Sequence, residues 1–292
     1  AAHIWNPVAI DKVFRLKNRP SDNPLIVHIA QESQLADLVS DISPLHRKLI
    51  NQFWPGPLTI LFPKQSRVLS LVTAGLPTVA VRMPKHPITL ELIRKTGPVV
   101  APSANISGTP SATKPDHVLE DFGSDFPVLD GGSCEHGLES TVVEIVHQTL
   151  MIHRPGAISA DELSDIAPLT NALGHGHERP KSPGQKYRHY APKARVQWMP
   201  SDRSQWNEKA AMIIRLQSYS TPKPMVNSNE DIEYLDWNGN WEALAKNLYD
   251  CFRRADQKKF ESIYIQDLRG SNFEHPLKEA LINRIEKAIA RV

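Results

Sequence analysis

The sequence predicts an α/β protein: a first domain built on a twisted, mixed sheet, a long linker, and a smaller Rossmann-like C-terminal domain. Three observations carry that reading. Over residues 1–170, apolar runs of strand length alternate with segments whose apolar residues recur at helical spacing, the pattern of an α/β unit. Across 171–194 the composition turns to Gly, His, Pro and Lys, which marks a boundary. Over 195–292 strand-like and helical runs alternate again without a GxGxxG fingerprint, so no dinucleotide site is expected there.

The elements follow from local signals. Ala9 to Leu16 reads as the end of a helix, with Ile10, Val13 and Phe14 on one face. Leu25 to Ile29 is a strand after the turn Pro20-Ser21-Asp22-Asn23-Pro24. Gln34 to Val39 and Pro44 to Phe53 are helical, the second stopped by Trp54-Pro55-Gly56-Pro57. Leu58 to Pro63 and Thr78 to Arg82 are strands; Ile88 to Thr96 is a helix ahead of Gly97-Pro98. Pro98 to Ala101, Val128 to Asp130, Ser140 to Ile145 and Leu150 to Arg154 complete the strands of the first domain. In the second, Arg195 to Met199, Ala210 to Leu216, Asp231 to Leu235 and Ser262 to Gln266 are strands. Trp241 to Phe252 and Leu277 to Ile289 are helices there.

Composition narrows the class. The chain has 292 residues, 40% hydrophobic and 23% charged, which gives folded cores rather than disorder. A net charge of +2 gives no support for a globally basic nucleic-acid binder, although a local basic face stays open. Cys134 and Cys251 stand far apart, which excludes a disulfide framework and suits a reducing compartment such as the cytoplasm. No run approaches the ~18 apolar residues of a membrane-spanning helix.

Two clusters carry the chemistry. Lys17-Asn18-Arg19 places two cations at i and i+2, which an extended segment would present on one side. Ser103-Ala104-Asn105 places a hydroxyl and an amide at the same spacing after Pro102. Together they suit a phosphate, the cations for charge and the neutral groups for orientation; singly, each is equally a solvated loop. With no P-loop, phosphate contacts would come from side chains and scattered amides. Read alone, His28 is a satisfied, partly buried strand histidine, Arg82 an edge-strand charge, Ser140-Thr141 a strand start, and Arg154 a turn cation. His175 and His177 lack partners for a metal and read as loop residues. Ser182 to Tyr190 interleaves tyrosines with Lys186, Arg188 and His189, more aromatic surface than a plain connection needs.

These segments resemble the threonylcarbamoyl-AMP synthase family in its longer form. The matching stretches are Lys17 to Ile29 (KNRPSDNPLIVHI), Phe53 to Phe62 (FWPGPLTILF), Val79 to Pro87 (VAVRMPKHP) and Ala101 to Gly108 (APSANISG). They continue with Glu139 to Val143 (ESTVV), Arg154 to Ile158 (RPGAI) and Ser182 to Pro192 (SPGQKYRHYAP). The family opens upstream of the Lys-x-Arg cluster with a strand and turn of the type P-T-E-T-x-Y-G-L-G. The sequence starts at Ala1-Ala2-His3, downstream of that segment. The resemblance implies that the segment supplies a central strand and threonine contacts, and that this sequence is a fragment or an impaired, regulatory form.

For the rest, the resemblance implies an enzyme that makes L-threonylcarbamoyl-AMP from L-threonine, bicarbonate and ATP, with Mg²⁺ arriving with the ATP. The product would feed a separate transferase complex that modifies adenosine 37 of tRNA, in the cytoplasm. It assigns Lys17 and Arg19 to catalysis and to ATP, along with Pro102, Ser103, Asn105, Arg154 and Tyr187. His28, Arg82, Ser140 and Thr141 would hold threonine. Lys186, Tyr187 and His189 would form a lid that excludes water from the labile product. The other reading is an RNA-binding module, with tRNA held by a basic concave surface; a weak tRNA contact is compatible with both.

Overall fold

Proline following a capping side chain starts the first helices. Asn6 accepts a hydrogen bond from the Ala9 amide ahead of α1 (Pro7–Lys17), and Ser43 accepts from the His46 amide ahead of α2 (Pro44–Phe53). A computed structural model describes residues 1–170, 189–200, 210–217, 232–270 and 273–290. The assignments of Lys186, Tyr187, His175 and His177 lie outside the described residues. The remaining helices are α3 (Ser70–Thr73), α4 (Pro87–Thr96), α5 (Pro115–Phe122), α6 (Ala160–Ser164), α7 (Trp241–Gln257) and α8 (Lys278–Ile289). Glu32–Asp37, expected as a helix over Gln34 to Val39, is a 3₁₀ turn. Among the described residues no helix is long and apolar enough to cross a membrane.

The chain forms two compact units, and they are not contiguous in sequence. One takes residues 1–107 and the described residues from 139 to 170; the other takes 108–138 and the described residues from 189 onward. A reading of the chain as one domain after another does not anticipate this excursion of 108–138. Its anchors are long-range. Arg253 on α7 donates from Nη1 and Nη2 to the two carboxylate oxygens of Asp121, both at 2.9 Å, and from Nη2 to the Pro110 carbonyl at 2.7 Å. His117 Nε2 lies 3.0 Å from Asp250 Oδ1, and Lys114 Nζ 2.6 Å from the same oxygen. Burial, then the Arg253 charge, hold the His117 imidazole below its usual range.

The first unit carries a mixed, twisted sheet. Its strands are β1 (Ala2–His3), β2 (Ile26–His28), β3 (Leu58–Pro63), β4 (Thr78–Arg82), β5 (Val99–Val100), β6 (Thr141–Val146) and β7 (Thr149–Arg154). They are ordered β1-β5-β2-β4-β3-β6-β7, with β2·β4 and β3·β6 parallel and the other pairs antiparallel. Val128 to Asp130 is not a strand: it runs irregularly between Pro127 and Gly131-Gly132, and Leu129 is exposed. The second unit holds β8 (Arg195–Trp198), β9 (Ala211–Arg215), β10 (Ile232–Asp236) and β11 (Ser262–Ile265) in an all-parallel sheet ordered β10-β9-β11-β8. Helix α7 connects β10 to β11, which run parallel on either side of β9, the helical crossover that parallel strands require. The fold class is therefore the one the sequence predicts.

Candidate active site

Alternation along the strands divides the first sheet into two faces. Val27, Val79, Val81, Leu58, Ile60, Phe62, Val100 and Val143 point to one side and join the main core. On the other side, Ile26, Ala80, Leu61 and Val142 form only a four-residue apolar patch. Beside that patch the same face turns polar. His28 is the register partner of Arg82, and Thr59 is that of Val142, itself opposite Arg154. Pairing of Ile60 with Val81 sets Thr59 at the level of Arg82. Four strand ends thus lay His28, Arg82, Thr59 and Arg154 in a row across one face.

Arg82 is aimed by its Nε–H, which donates to the Gly56 carbonyl at 2.9 Å. The tight path there demands glycine, since a Cβ at residue 56 would fall 2.3 Å from the Phe53 carbonyl oxygen. Beside Arg82, the His28 imidazole is pushed down to about 3, first by burial and then by the Arg82 charge. It is neutral at physiological pH, and among the described residues its buried Nδ1 makes no hydrogen bond. Taken alone, the sequence suggested a satisfied strand histidine. An unpaired buried nitrogen facing a guanidinium is a different object.

Ser140, Thr141 and Arg154 meet through the first turn of β6. Arg154 donates from Nε to the Ser140 carbonyl at 3.1 Å and from Nη2 to Ser140 Oγ at 3.0 Å. Thr59 Oγ1 lies 2.7 Å from the same Ser140 Oγ. Thr141 turns the other way: its hydroxyl donates to the Ile158 carbonyl at 2.7 Å and accepts from the Ile158 amide at 3.0 Å. Buried completely, it pins the Arg154-to-Ile158 turn. Gly156 allows that close packing, because a Cβ there would lie 2.3 Å from the Thr141 amide nitrogen.

Lys17 and Arg19 are not held on one side of an extended segment. Helix α1 runs through Lys17, and Asn18 turns left-handed at φ 50°, so the two cations diverge. Lys17 is buried, and its Nζ donates to the Ser103 carbonyl at 2.6 Å and to the Asn105 carbonyl. Its own carbonyl accepts from the Ser107 amide at 2.8 Å. Arg19 folds over the proline turn, donating to the Asn23 carbonyl at 3.2 Å and the Pro24 carbonyl at 2.7 Å. Lys17 therefore shapes the Ser-Ala-Asn loop: Asn105 is buried, Pro102 half-buried, and Ser103 exposed. Antiparallel pairing of β5 with β2 carries this loop to the Ile26 end of the strand, away from His28. His189 lies in the second unit, half-buried, its ring 5.5 Å from that of Tyr190.

Sequence reasoning passes over Thr59, although a lone hydroxyl in Leu58-Thr59-Ile60-Leu61-Phe62 was the available signal. It also treats the Ser-Ala-Asn cluster as side chains alone, where the backbone carbonyls make the bonds to Lys17.

A family model described as "Telomere recombination" matches residues 1–156, and one described as "Threonylcarbamoyl-AMP synthase, C-terminal domain" matches 158–290. The threonylcarbamoyl-AMP synthase of Bacillus subtilis is 37% identical over 98% of this chain and 85% of its own. That of Pyrococcus abyssi is 37% identical over 98% of this chain and 86% of its own. The crystal structure of Pyrococcus abyssi Sua5 complexed with L-threonine superposes with a TM-score of 0.84 at 35% identity, covering 98% of this chain and 86% of that one. With such likeness along nearly its whole length, the chain belongs to the threonylcarbamoyl-AMP synthase family of nucleotidyltransferase-type enzymes.

Proposed function

We propose that this chain joins L-threonine, bicarbonate and ATP into L-threonylcarbamoyl-AMP, releasing pyrophosphate. The observation that carries the reading is the polar row of His28, Arg82, Thr59 and Arg154, with Ser140 bonded to the last two, beside a four-residue apolar patch on the same sheet face. Two guanidiniums on such a face suit a ligand with more than one anionic group. The threonine-bound relative of similar fold points the same way.

Arg82, already oriented through Gly56, takes the threonine carboxylate. Neutral His28 adds no charge next to the amine and offers a nitrogen for a hydrogen bond. The amine and bicarbonate condense to a carbamate with loss of water. A carbamate oxygen then attacks the α-phosphorus, the bond to the β-phosphate oxygen breaks, and pyrophosphate leaves. Lys17 holds the Ser103–Asn105 loop against the nucleotide, and Arg19 and Arg154 supply positive charge where the phosphates lie. Catalysis rests on positioning and electrostatics more than on proton transfer.

Mg²⁺ would enter with ATP, held by its phosphates. Among the described residues no group of three or more His, Cys, Asp or Glu could hold a metal ion; the roles assigned here are those of the chain's own residues toward the substrates. The product would pass to a separate transferase complex acting on adenosine 37 of tRNA in the cytoplasm.

The test is pyrophosphate release from ATP and bicarbonate with and without L-threonine. Release that depends strictly on threonine supports the reading; ATP turnover indifferent to threonine removes it.

A further inference from the structure

Thr59 sits in the middle of the row yet has no part in the chemistry above. The strand around it is apolar, and the residue is 0% exposed, where an unpaired hydroxyl is costly. Among the described residues its side chain makes one hydrogen bond, to Ser140 Oγ at 2.7 Å. Ser140, 3% exposed, also receives the Arg154 Nη2–H at 3.0 Å.

A hydroxyl has one proton to give and two lone pairs to fill. Were Ser140 to donate to Thr59, the proton left over would be that of the fully buried Thr59, which has no acceptor for it among the described residues. With Thr59 donating instead, its proton is satisfied, and both Ser140 lone pairs are filled by Thr59 and Arg154. The Ser140 proton is then the one left over, on the residue that keeps some exposure. No acceptor for it occurs among the described residues.

We infer that Thr59 is a positioning residue: by donating to Ser140, it turns the Ser140 O–H outward as a donor to an anionic oxygen of the bound ligand. That oxygen belongs to a carboxylate or a phosphate group. The inference deepens the function proposed above and rests on its placing Ser140 in the substrate site. Without Thr59 the Ser140 hydroxyl is free to rotate, and its proton no longer has a fixed direction.

A double-mutant cycle on the full chain tests this, using Thr59→Val, Ser140→Ala, the pair, and Thr59→Ser. L-threonine and ATP are titrated separately by calorimetry. Thr59→Val should weaken the ligand whose anion meets Ser140 by about tenfold, the scale of a charge-assisted hydrogen bond. Thr59→Ser should restore affinity to within about twofold, and Thr59→Val should add nothing once Ser140 is alanine. Coupling seen with L-threonine identifies the carboxylate, and coupling seen with ATP identifies a phosphate. Additive effects overturn the inference, as does Thr59→Val binding both ligands like the unmodified chain. If that chain binds ATP but not threonine and the ATP cycle still couples, the threonine assignment falls while the role of Thr59 stands. Failure to bind either ligand removes both.

Discussion

The two sheets of this protein spend their faces differently. In the second unit, Met212 and Ile214 join the larger core while Ala211, Ile213 and Tyr264 cluster on the opposite face. Both faces are apolar, as an all-parallel sheet requires. In the first unit one face is a continuous core, but the other keeps only Ile26, Ala80, Leu61 and Val142 before it turns to arginine, histidine and hydroxyls. Each of those polar groups needs a partner in a place where water is scarce. Among the described residues the bonds from Arg82 to Gly56, from Arg154 to Ser140 and between Thr59 and Ser140 meet that need for the guanidiniums and for Thr59 and fix the row. Among those residues the His28 Nδ1 has no such bond. A sheet face that stops being apolar, and is organised where it stops, marks the chemistry.

If the contrast is right, the largest effect comes from the first unit. Lys17→Ala removes the donor shared by the Ser103 and Asn105 carbonyls. Threonine-dependent pyrophosphate release should fall by about 100-fold, the scale on which a small misplacement of a binding loop costs turnover. Unfolding in denaturant should show a loss of about 2 kcal/mol, because the buried Asn105 carbonyl loses the Lys17 donor. Unchanged kinetics would separate the loop from the reaction.

The second unit supplies the reverse case. Arg253→Met takes away the bidentate partner of Asp121 and the donor to Pro110. Breaking such a buried pair costs about 3–5 kcal/mol, so the melting temperature should drop clearly. Turnover per folded molecule should stay within about twofold, a change too small to count against a single placed interaction. A large loss of turnover with stability intact would break the comparison, because the second unit would then be part of the chemistry.

How much of this was legible depended on whether the signal was local. Pro44–Phe53, Leu58–Pro63 and Thr78–Arg82 have the predicted bounds, because Ser43-Pro44 starts the helix and Trp54-Pro55-Gly56-Pro57 separates it from the next strand. Val128 to Asp130 had strand-like residues but no strand to pair with. Helix α5 was missed although Lys114-Pro115-Asp116 announces a helix start. The attachment of 108–138 to the second unit rests on Arg253 reaching Asp121 and Pro110 across 132 and 143 residues of sequence, which no periodicity reports. In the site, residue types were legible and bonding was not. Lys17 and Ser103 stood out as clusters, but the sequence does not show that a carbonyl joins them, nor which way a hydroxyl on Thr59 points.

The smallest effect is the pH dependence that the polar row imposes on stability. In the unfolded chain the His28 imidazole takes up a proton below its ordinary value of 6.5, whereas in the fold burial and Arg82 hold it off until about 3. The unfolded state therefore binds more protons between those values, and stability falls as pH falls through that window. Above 6.5 the contribution is complete. From pH 7 to pH 5.5 the loss from this one group is about 1 kcal/mol, since each unit of difference is worth about 1.4 kcal/mol. His46 and His117 are also held below their usual range, both chiefly by burial, and bend the profile the same way. Their part cancels when denaturant unfolding of the unmodified chain is compared with His28→Asn over that range. The variant should show the shallower slope; parallel profiles would mean that His28 titrates normally and is not sealed beside Arg82. The apolar sheet of the second unit carries no such histidine on its strands, so the difference between the two profiles reads the polar face of the first sheet alone.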